Sequence, residues 1–537
     1  MKRFVVSAVL LNVLLVALSL PAYPHVPLIA AEAVLLAGVC LWLPAGRPGT
    51  AVRLALGLVY VLLAVASAAD ALIRESLARP LNLYLDAGLA STILNQFTAN
   101  LGPIMTVLAT LMLMALVLAL SALFAWLLKG LAQAPQRPRF LAPALVLLAV
   151  VATMLPSGLQ PPGVASTAWA FGVHQVQLAE ASAAASRDFN EQLAQRYRNG
   201  QDRAVPLVGL RDDDVVLAFI ESYGMTNLLD DRYRPLIDAR LTTMQQALDA
   251  TGLHVVSGRL RAPVQGGQSW LAHATLLSGL WVNSQLDFDT LLASRRTTLI
   301  DDFKAAGHRT VAVMPAITGP WPEGNQLGYD EIHDAAHMNY QGPPLNWVTM
   351  PDQYTWTWFD RAIRQTTDTP VFAELALISS HAPWVPILPV LDDWQSIGDG
   401  QVFEPWRNSG EAPVSLWKDY DRVRDHYVRA IDYALNVVTG YATRHVDSHT
   451  LLIVLGDHQP APLVTGDGAT RDVPVHIISG DPQLLKPFTG DGTPAMPGLP
   501  SFRDGIFPER STDGIRMDRF RGFLQQAFAA RVSEKAR

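Results

Sequence analysis

Residues 214–221 read DVVLAFIE, and residues 450–458 read TLLIVLGDH. Each is a short apolar run, rich in β-branched residues, that closes on polar side chains. Such runs mark strands buried on both faces. Residues 371–379 (VFAELALIS) repeat the pattern, and 310–314 and 473–479 read as further strands. Residues 297–306 and 426–444 have helical periodicity and lie between them. This alternation predicts an α/β domain with a mostly parallel sheet covered by helices.

In such a sheet, ligands bind beyond the carboxyl ends of the strands. Three of the predicted strands close on groups able to hold a metal or a phosphate. They are Glu221 in Glu221-Ser222-Tyr223-Gly224, His381 in Ser379-Ser380-His381-Ala382-Pro383-Trp384, and Asp457-His458 in Gly456-Asp457-His458-Gln459-Pro460. A strand-end Glu is usually a solvated cap, and a His before Ala-Pro-Trp could be a packed loop residue. Three such endings in one domain are harder to dismiss. A fourth stretch, 266–279 (GGQSWLAHATLLSG), begins as a glycine loop and continues as a predicted helix. Ser269 would stand at its amino terminus, among free backbone N–H groups that suit a phosphate. The plain alternative is an N-cap. Thr275 and Ser278 are rival hydroxyls further along the helix.

The chain has 537 residues and a net charge of −7, with no Lys/Arg-rich block, so nothing points to a nucleic-acid partner and none is expected. The first 157 residues are strongly apolar, and five stretches in them are long enough to be read as membrane spans: 5–22, 27–43, 52–71, 104–128 and 140–155. The first is read as a span and not a signal peptide, because four more follow it. Lys2 and Arg3 before the first span, Arg47 and Arg53 between the second and third, and Lys129, Arg137 and Arg139 between the fourth and fifth all fall on one side, which predicts an inside amino terminus and an outside domain after Pro156. Glu32 and Asp70 fall near the outer ends of their spans and are expected at the hydrated interface. Cys40, the single cysteine, lies in the second span, so the outer domain has no disulfide. The division expected is a membrane domain over 1–157, a linker with a connecting helix over 158–204, and an extracytoplasmic domain over 205–537.

The order Glu221, Ser269 helix, Ser380-His381-Ala382-Pro383-Trp384, then Gly456-Asp457-His458 resembles the alkaline phosphatase/sulfatase superfamily. The stretch from Ser269 to Gly279 is similar to the sulfatase signature. The Glu-Ser-Tyr-Gly, Ser-His-x-Pro-Trp and Gly-Asp-His endings, with Gly328-Tyr329-Asp330 through Asp334-Ala335, resemble membrane-anchored lipoteichoic acid synthase-type phosphoglycerol transferases. That resemblance implies five membrane helices and an alkaline-phosphatase-like outer domain in a bacterial inner membrane. It implies one divalent metal, manganese or zinc, on Glu221, Ser269, Asp457 and His458. Ser269 would be the nucleophile, and His381 would contact substrate or protonate the leaving group. Trp321, His273, His333, His337 and His476 are further candidates for substrate contact. The implied partners are a membrane lipid substrate and an envelope glycan or lipid acceptor.

The sequence departs from these patterns at named places. Glu323 stands where an Arg follows the matching Trp, and Ser269 stands where Thr is usual. Leu271 and His273 occupy positions where formylglycine modification reads Pro or Ala and then Arg, which argues against sulfatase action. Outer-membrane phosphoethanolamine transferases carry disulfides that this domain lacks. Hydrolysis of an envelope ester by a phosphodiesterase, phosphatase or sulfatase is the second reading. A non-catalytic envelope-binding domain is the third, and retention of all four metal-ligand candidates argues against it.

Overall fold

The structure, a computed structural model, describes residues 2–19, 28–43, 46–89, 94, 98, 102–132, 141–154, 163–165, 167–198, 202–294, 296–490 and 498–529. It divides into two compact units, one of Met1–Glu75 with Arg79–Asp188, the other of Ser76–Ala78 with Phe189–Arg537.

The first unit is helical: α1 (Lys2–Ser19), α2 (Ala31–Trp42), α3 (Arg47–Leu77), α4 (Pro103–Ala132) and α5 (Leu141–Met154). α6 (Thr167–Arg198) follows and ends in the second unit. Two of these helices, α3 with 31 residues and α4 with 30, are long and apolar enough to cross a membrane. They contain the predicted spans 52–71 and 104–128. The other three predicted spans fall on the shorter apolar helices α1, α2 and α5, and residues 20–27, 140 and 155 lie outside the described residues. Glu32 and Asp70 are not the hydrated acids expected. Both are buried, because backbone amides hold them: Trp169 N donates to Glu32 at 3.2 Å, and Leu81 N donates to Asp70 at 2.7 Å beside an Arg74 ion pair.

The second unit is built on a nine-stranded sheet. Its strands are β1 (Asp214–Ile220), β2 (His254–Arg261), β3 (Arg309–Met314), β4 (Glu331–Asp334), β5 (Val371–Leu377), β6 (Thr450–Gly456), β7 (Asp472–Ser479), β8 (Arg503–Asp504) and β9 (Ile515–Arg516). The order is β8-β2-β7-β6-β1-β5-β3-β4, with β9 paired to β2. From β6 through β4 every pair is parallel, while β7 runs antiparallel to β6 and to β2. The mostly parallel sheet is therefore present. β2 (HVVSGRLR) and β4 (EIHD) lack a continuous apolar run and go unread in the sequence.

Successive side chains of a strand point to opposite faces, and both faces of β1 are buried. Val216, Ala218 and Ile220 enter one core with helices α7 (Arg234–Ala250), α10 (Asp352–Ala362) and α11 (Tyr420–His445). Val215, Leu217 and Phe219 enter the other with α8 (Ser269–Ser278), α9 (Leu299–Ala306) and a last helix, α12 (Arg519–Phe528). Ile220 is in register with Leu377 of β5 and with Gly456 of β6. Three strands thus end level, and whatever follows them emerges at one edge.

Gly456 is the last residue of β6. A Cβ there would lie 1.8 Å from the Tyr223 carbonyl oxygen and 3.1 Å from Val473 Cβ. Backbone cannot yield as a side-chain tip can, so Gly456→Ala is expected to cost about 1–3 kcal/mol through overpacking. Thermal or urea unfolding of the variant against the parent protein checks this; unchanged stability would contradict it.

Candidate active site

The level ends of β5, β1 and β6 deliver the three predicted polar endings to one place. Glu221 follows β1, and the next residue, Ser222, takes a left-handed backbone with φ 58°. That turn aims Ser222 N at Asp457 Oδ1, 2.8 Å away, while Ser222 Oγ donates to Glu221 Oε1 at 2.8 Å. Strained non-glycine backbone of this kind gathers at functional sites. From β5, Ser380 Oγ donates to the Glu221 carbonyl at 2.6 Å and fixes the start of the His381 loop.

Ser269 is the first residue of α8. The loop before it needs glycine: φ is 78° at Gly266 and 150° at Gly267. Gly266 N donates to the Gln459 carbonyl at 2.8 Å, which ties this loop to the one carrying Asp457 and His458. Ser269 Oγ consequently lies 3.1 Å from Glu221 Oε2, to which it donates, and 3.3 Å from His458 Nε2. His458 Nε2 is 3.3 Å from Glu221 Oε1 and 3.7 Å from Asp457 Oδ2. The rival hydroxyls are out of reach of any ligand. Thr275 is fully buried with its hydroxyl donating to the Leu271 carbonyl at 2.7 Å, and Ser278 is fully buried as well.

Glu221, Asp457 and His458 each offer a ligand atom, all within 4.8 Å of one another. Asp457 and His458 are only 1 % exposed. Their electrostatics reflect that crowding. Burial works to raise Glu221, but the facing His458 imidazole, His381 and the Ser222 hydroxyl together hold the carboxyl below its usual range. Asp457 is pushed up to about 7, first by burial and then by the Glu221 charge. Burial disfavours the charged form of His458, yet Asp457 and Glu221 together hold it up to about 9. His458 Nδ1 lies 2.9 Å from the Gln459 carbonyl, which can only accept, so the Nδ1 proton is fixed there. The Nε2 lone pair is then the one offered to the cluster when His458 is neutral. This is the orientation a metal-binding histidine needs. Two carboxylates, one imidazole and a nearby hydroxyl form a donor set that fits a divalent cation.

The remaining candidates stand elsewhere. His273, one turn after Ser269, lies over β1 with its ring stacked on Phe219 at 3.8 Å, and its Nδ1 is 2.8 Å from Glu374 Oε1. Glu374 sits buried in the middle of β5 and also accepts from the Tyr329 hydroxyl. Neither Glu374 nor this network is legible in the sequence, since the partners come from three separate elements. Trp321 precedes a short helix and packs against Gly324. His337 is exposed and paired with Asp334 at 2.7 Å. His333 pairs with Glu331 at 3.2 Å, and His476 is buried between Tyr223 and Ser257. No hydrogen bond among the described residues joins Trp321, His333, His337 or His476 to the Ser269 cluster.

Residues 273–475 match the Sulfatase family model. The chain carries a domain of the alkaline phosphatase/sulfatase superfamily. That makes it an enzyme of the sulfatase-like hydrolase and transferase kind. The matched part of this sulfatase-family domain includes His381, Asp457 and His458 and begins after Ser269. No curated protein matches the chain. Among solved structures it is similar to the phosphoethanolamine transferase EptA of Neisseria meningitidis, with 13 % identity, 89 % of this chain and 84 % of that one covered, and a TM-score of 0.44. It is also similar to the lipoteichoic acid synthase LtaP of Listeria monocytogenes, with 10 % identity, 60 % and 74 % coverage and a TM-score of 0.37. A third is the phosphoglycerol transferase GacH of Streptococcus pyogenes, with 13 % identity, 54 % and 74 % coverage and a TM-score of 0.36.

A cation entering the sulfatase-family site must displace the proton that His458 holds up to a pH of about 9. Ion binding at pH 7 is expected to release about one proton from His458 and part of another from Asp457, and affinity should fall more than about tenfold for each pH unit below that. Calorimetric titration with zinc or manganese in buffers of different ionisation enthalpy reads the proton count. Binding without proton release would place the ion elsewhere.

Proposed function

We propose that this chain is a membrane-anchored phosphotransferase. It would move a phosphoglycerol-like headgroup from a membrane lipid to an envelope glycan or lipid acceptor through a covalent Ser269 intermediate. The observation that carries the reading is the Ser269 hydroxyl, held within hydrogen-bonding range of both Glu221 and His458 at a helix amino terminus. Its support from the membrane side is the pair of long apolar helices, α3 and α4. In this reading α1, α2 and α5 cross the membrane too, and the sulfatase-family domain lies outside the inner membrane. A site tethered near the outer leaflet meets a lipid substrate already concentrated and oriented.

Glu221, Asp457, His458 and the Ser269 oxygen would hold one divalent cation, manganese or zinc. When bound, it lowers the pKa of the Ser269 hydroxyl and offsets charge on a phosphoryl oxygen. Ser269 Oγ attacks phosphorus as the bond from phosphorus to the diacylglycerol oxygen breaks. The backbone N–H groups of the first turn of α8 face the phosphoryl oxygens. His381 Nδ1 is 2.5 Å from the Ala382 carbonyl, which leaves Nε2 to take the proton that Ser269 gives up and pass it to the leaving oxygen. An acceptor hydroxyl then attacks the same phosphorus and releases Ser269. His273 takes no part in contacting substrate here; held by Glu374, it supports α8 from the sheet side. Sulfate-ester hydrolysis is disfavoured, because the Leu271 and His273 positions do not fit formylglycine formation.

Purified protein supplied with labelled phosphatidylglycerol is expected to release diacylglycerol, and with simple sulfate esters to release nothing. Ser269→Ala should lower turnover by at least about a thousandfold while zinc or manganese binding persists. Turnover retained in this variant would contradict the nucleophile assignment.

A further inference from the structure

His381 stands in residues 378–391 (ISSHAPWVPILPVL), which form neither helix nor strand. Loops are the mobile parts of a fold, so a proton carrier on one needs its loop tied down. Two neighbouring residues at the start of α10 tie both ends. Asp352 takes the entry. Its Oδ1 accepts from Ile378 N at 2.8 Å and from Ser379 N at 2.9 Å, and its own N donates to Ser379 Oγ at 2.8 Å. Those two amides follow Leu377, the last residue of β5, where the sheet ladder ends. Gln353 takes the exit. Its Nε2 donates to the Leu391 carbonyl at 2.7 Å, and its Oε1 accepts from Leu391 N at 3.0 Å. Both side chains are fully buried. Between the ends, Trp384 Nε1 donates to the Ser380 carbonyl at 2.7 Å, and the Trp347 indole stacks on the His381 ring with centroids 3.5 Å and planes 12° apart.

The carboxylate at the entry is a costly choice. Asp352 Oδ2 has no hydrogen-bond partner among the described residues, and neither has the Tyr433 hydroxyl of α11. Burial, and then the Asp352 charge, raise Tyr433 well above its usual range. Burial likewise pushes Asp352 up to about 6. A buried acid with one unpaired oxygen weakens the fold. The gain falls elsewhere, on the stem of the His381 loop, as two charge-assisted hydrogen bonds about twice as strong as neutral ones.

We infer that Asp352 and Gln353 are positioning residues for His381: by closing both ends of its loop they fix where the imidazole meets the leaving oxygen. This rests on the phosphotransferase reading, in which His381 carries the Ser269 proton to that oxygen. In that step Ser269 Oγ bonds to phosphorus as the bond from phosphorus to the leaving oxygen breaks. A diacylglycerol alkoxide must receive the proton to depart, whereas p-nitrophenolate departs as the anion. Loss of His381 placement therefore penalises the lipid donor more.

The test uses the full chain in detergent, loaded with zinc or manganese. Its donors are phosphatidylglycerol and the p-nitrophenyl ester of glycerol phosphate, which share one headgroup. First-turnover rates of diacylglycerol and p-nitrophenol release are measured and their ratio taken. Asp352→Ala and Gln353→Ala should each lower that ratio at least about tenfold. Asp352→Asn, whose amide oxygen still accepts from both N–H groups, should keep most of it. Thermal unfolding shows which variants fold; should Asp352→Ala fail to, Gln353→Ala carries the test. Residues that merely held the fold together would slow both releases alike, so an unchanged ratio in the folded variants overturns the inference. So does a ratio in Asp352→Asn as low as in Asp352→Ala. Release of p-nitrophenol without diacylglycerol by the unaltered protein would instead sink the phosphotransferase reading itself, and this inference with it.

Discussion

Two carboxylates and an imidazole share one largely buried volume at the edge of the sheet, which is costly unless positive charge or a proton offsets the two acids. With Glu221, Asp457 and His458 packed within 4.8 Å, the proton on His458 is the charge the protein itself can supply. A divalent cation would do the same work with more charge, held by the oxygens and nitrogen that crowd the spot. The level ends of β5, β1 and β6 exist to bring those groups together. So do the left-handed turn at Ser222 and the narrow space at Gly456.

The groups around the cluster keep it from relaxing. Tyr427 donates to the Ser222 carbonyl at 2.9 Å and is itself met by the Asn227 amide at 2.6 Å. Ser380 holds the Glu221 carbonyl from the opposite side. Beneath α8, Glu374 takes hydrogen bonds from His273 and Tyr329, so a carboxylate buried in mid-strand has both oxygens satisfied. Rigidity of this kind matters for a nucleophile, since a displacement of about 1 Å can cost two orders of magnitude in rate.

Much of this was readable from the chain alone, for a physical reason. Strands buried on both faces must be continuously apolar, so β1, β3, β5, β6 and β7 announce themselves, and their polar endings mark the site. Glu221, Ser269, Asp457 and His458 do come together. What escaped the sequence depends on partners distant along the chain. β2 reads as polar because Arg259 and Arg261 belong to Asp472 on the neighbouring strand, at 2.8 and 3.3 Å. The sequence offers His273 as a candidate for substrate contact, and its partner Glu374 lies on a strand about a hundred residues further along the chain. Trp347 carries no motif at all, and only the folded path of its turn brings it onto His381. Glu32 and Asp70 looked interfacial because the backbone amides that bury them lie far off or in a loop.

The central claim is that Ser269 carries the phosphoryl group between donor and acceptor. The most direct measurement is mass spectrometry of the protein, acid-quenched within the first turnovers on phosphatidylglycerol with no acceptor added. The account predicts a glycerophosphoryl group on the peptide containing Ser269, lost when acceptor is supplied. Turnover with no adduct on Ser269, or an adduct on another side chain, would contradict it.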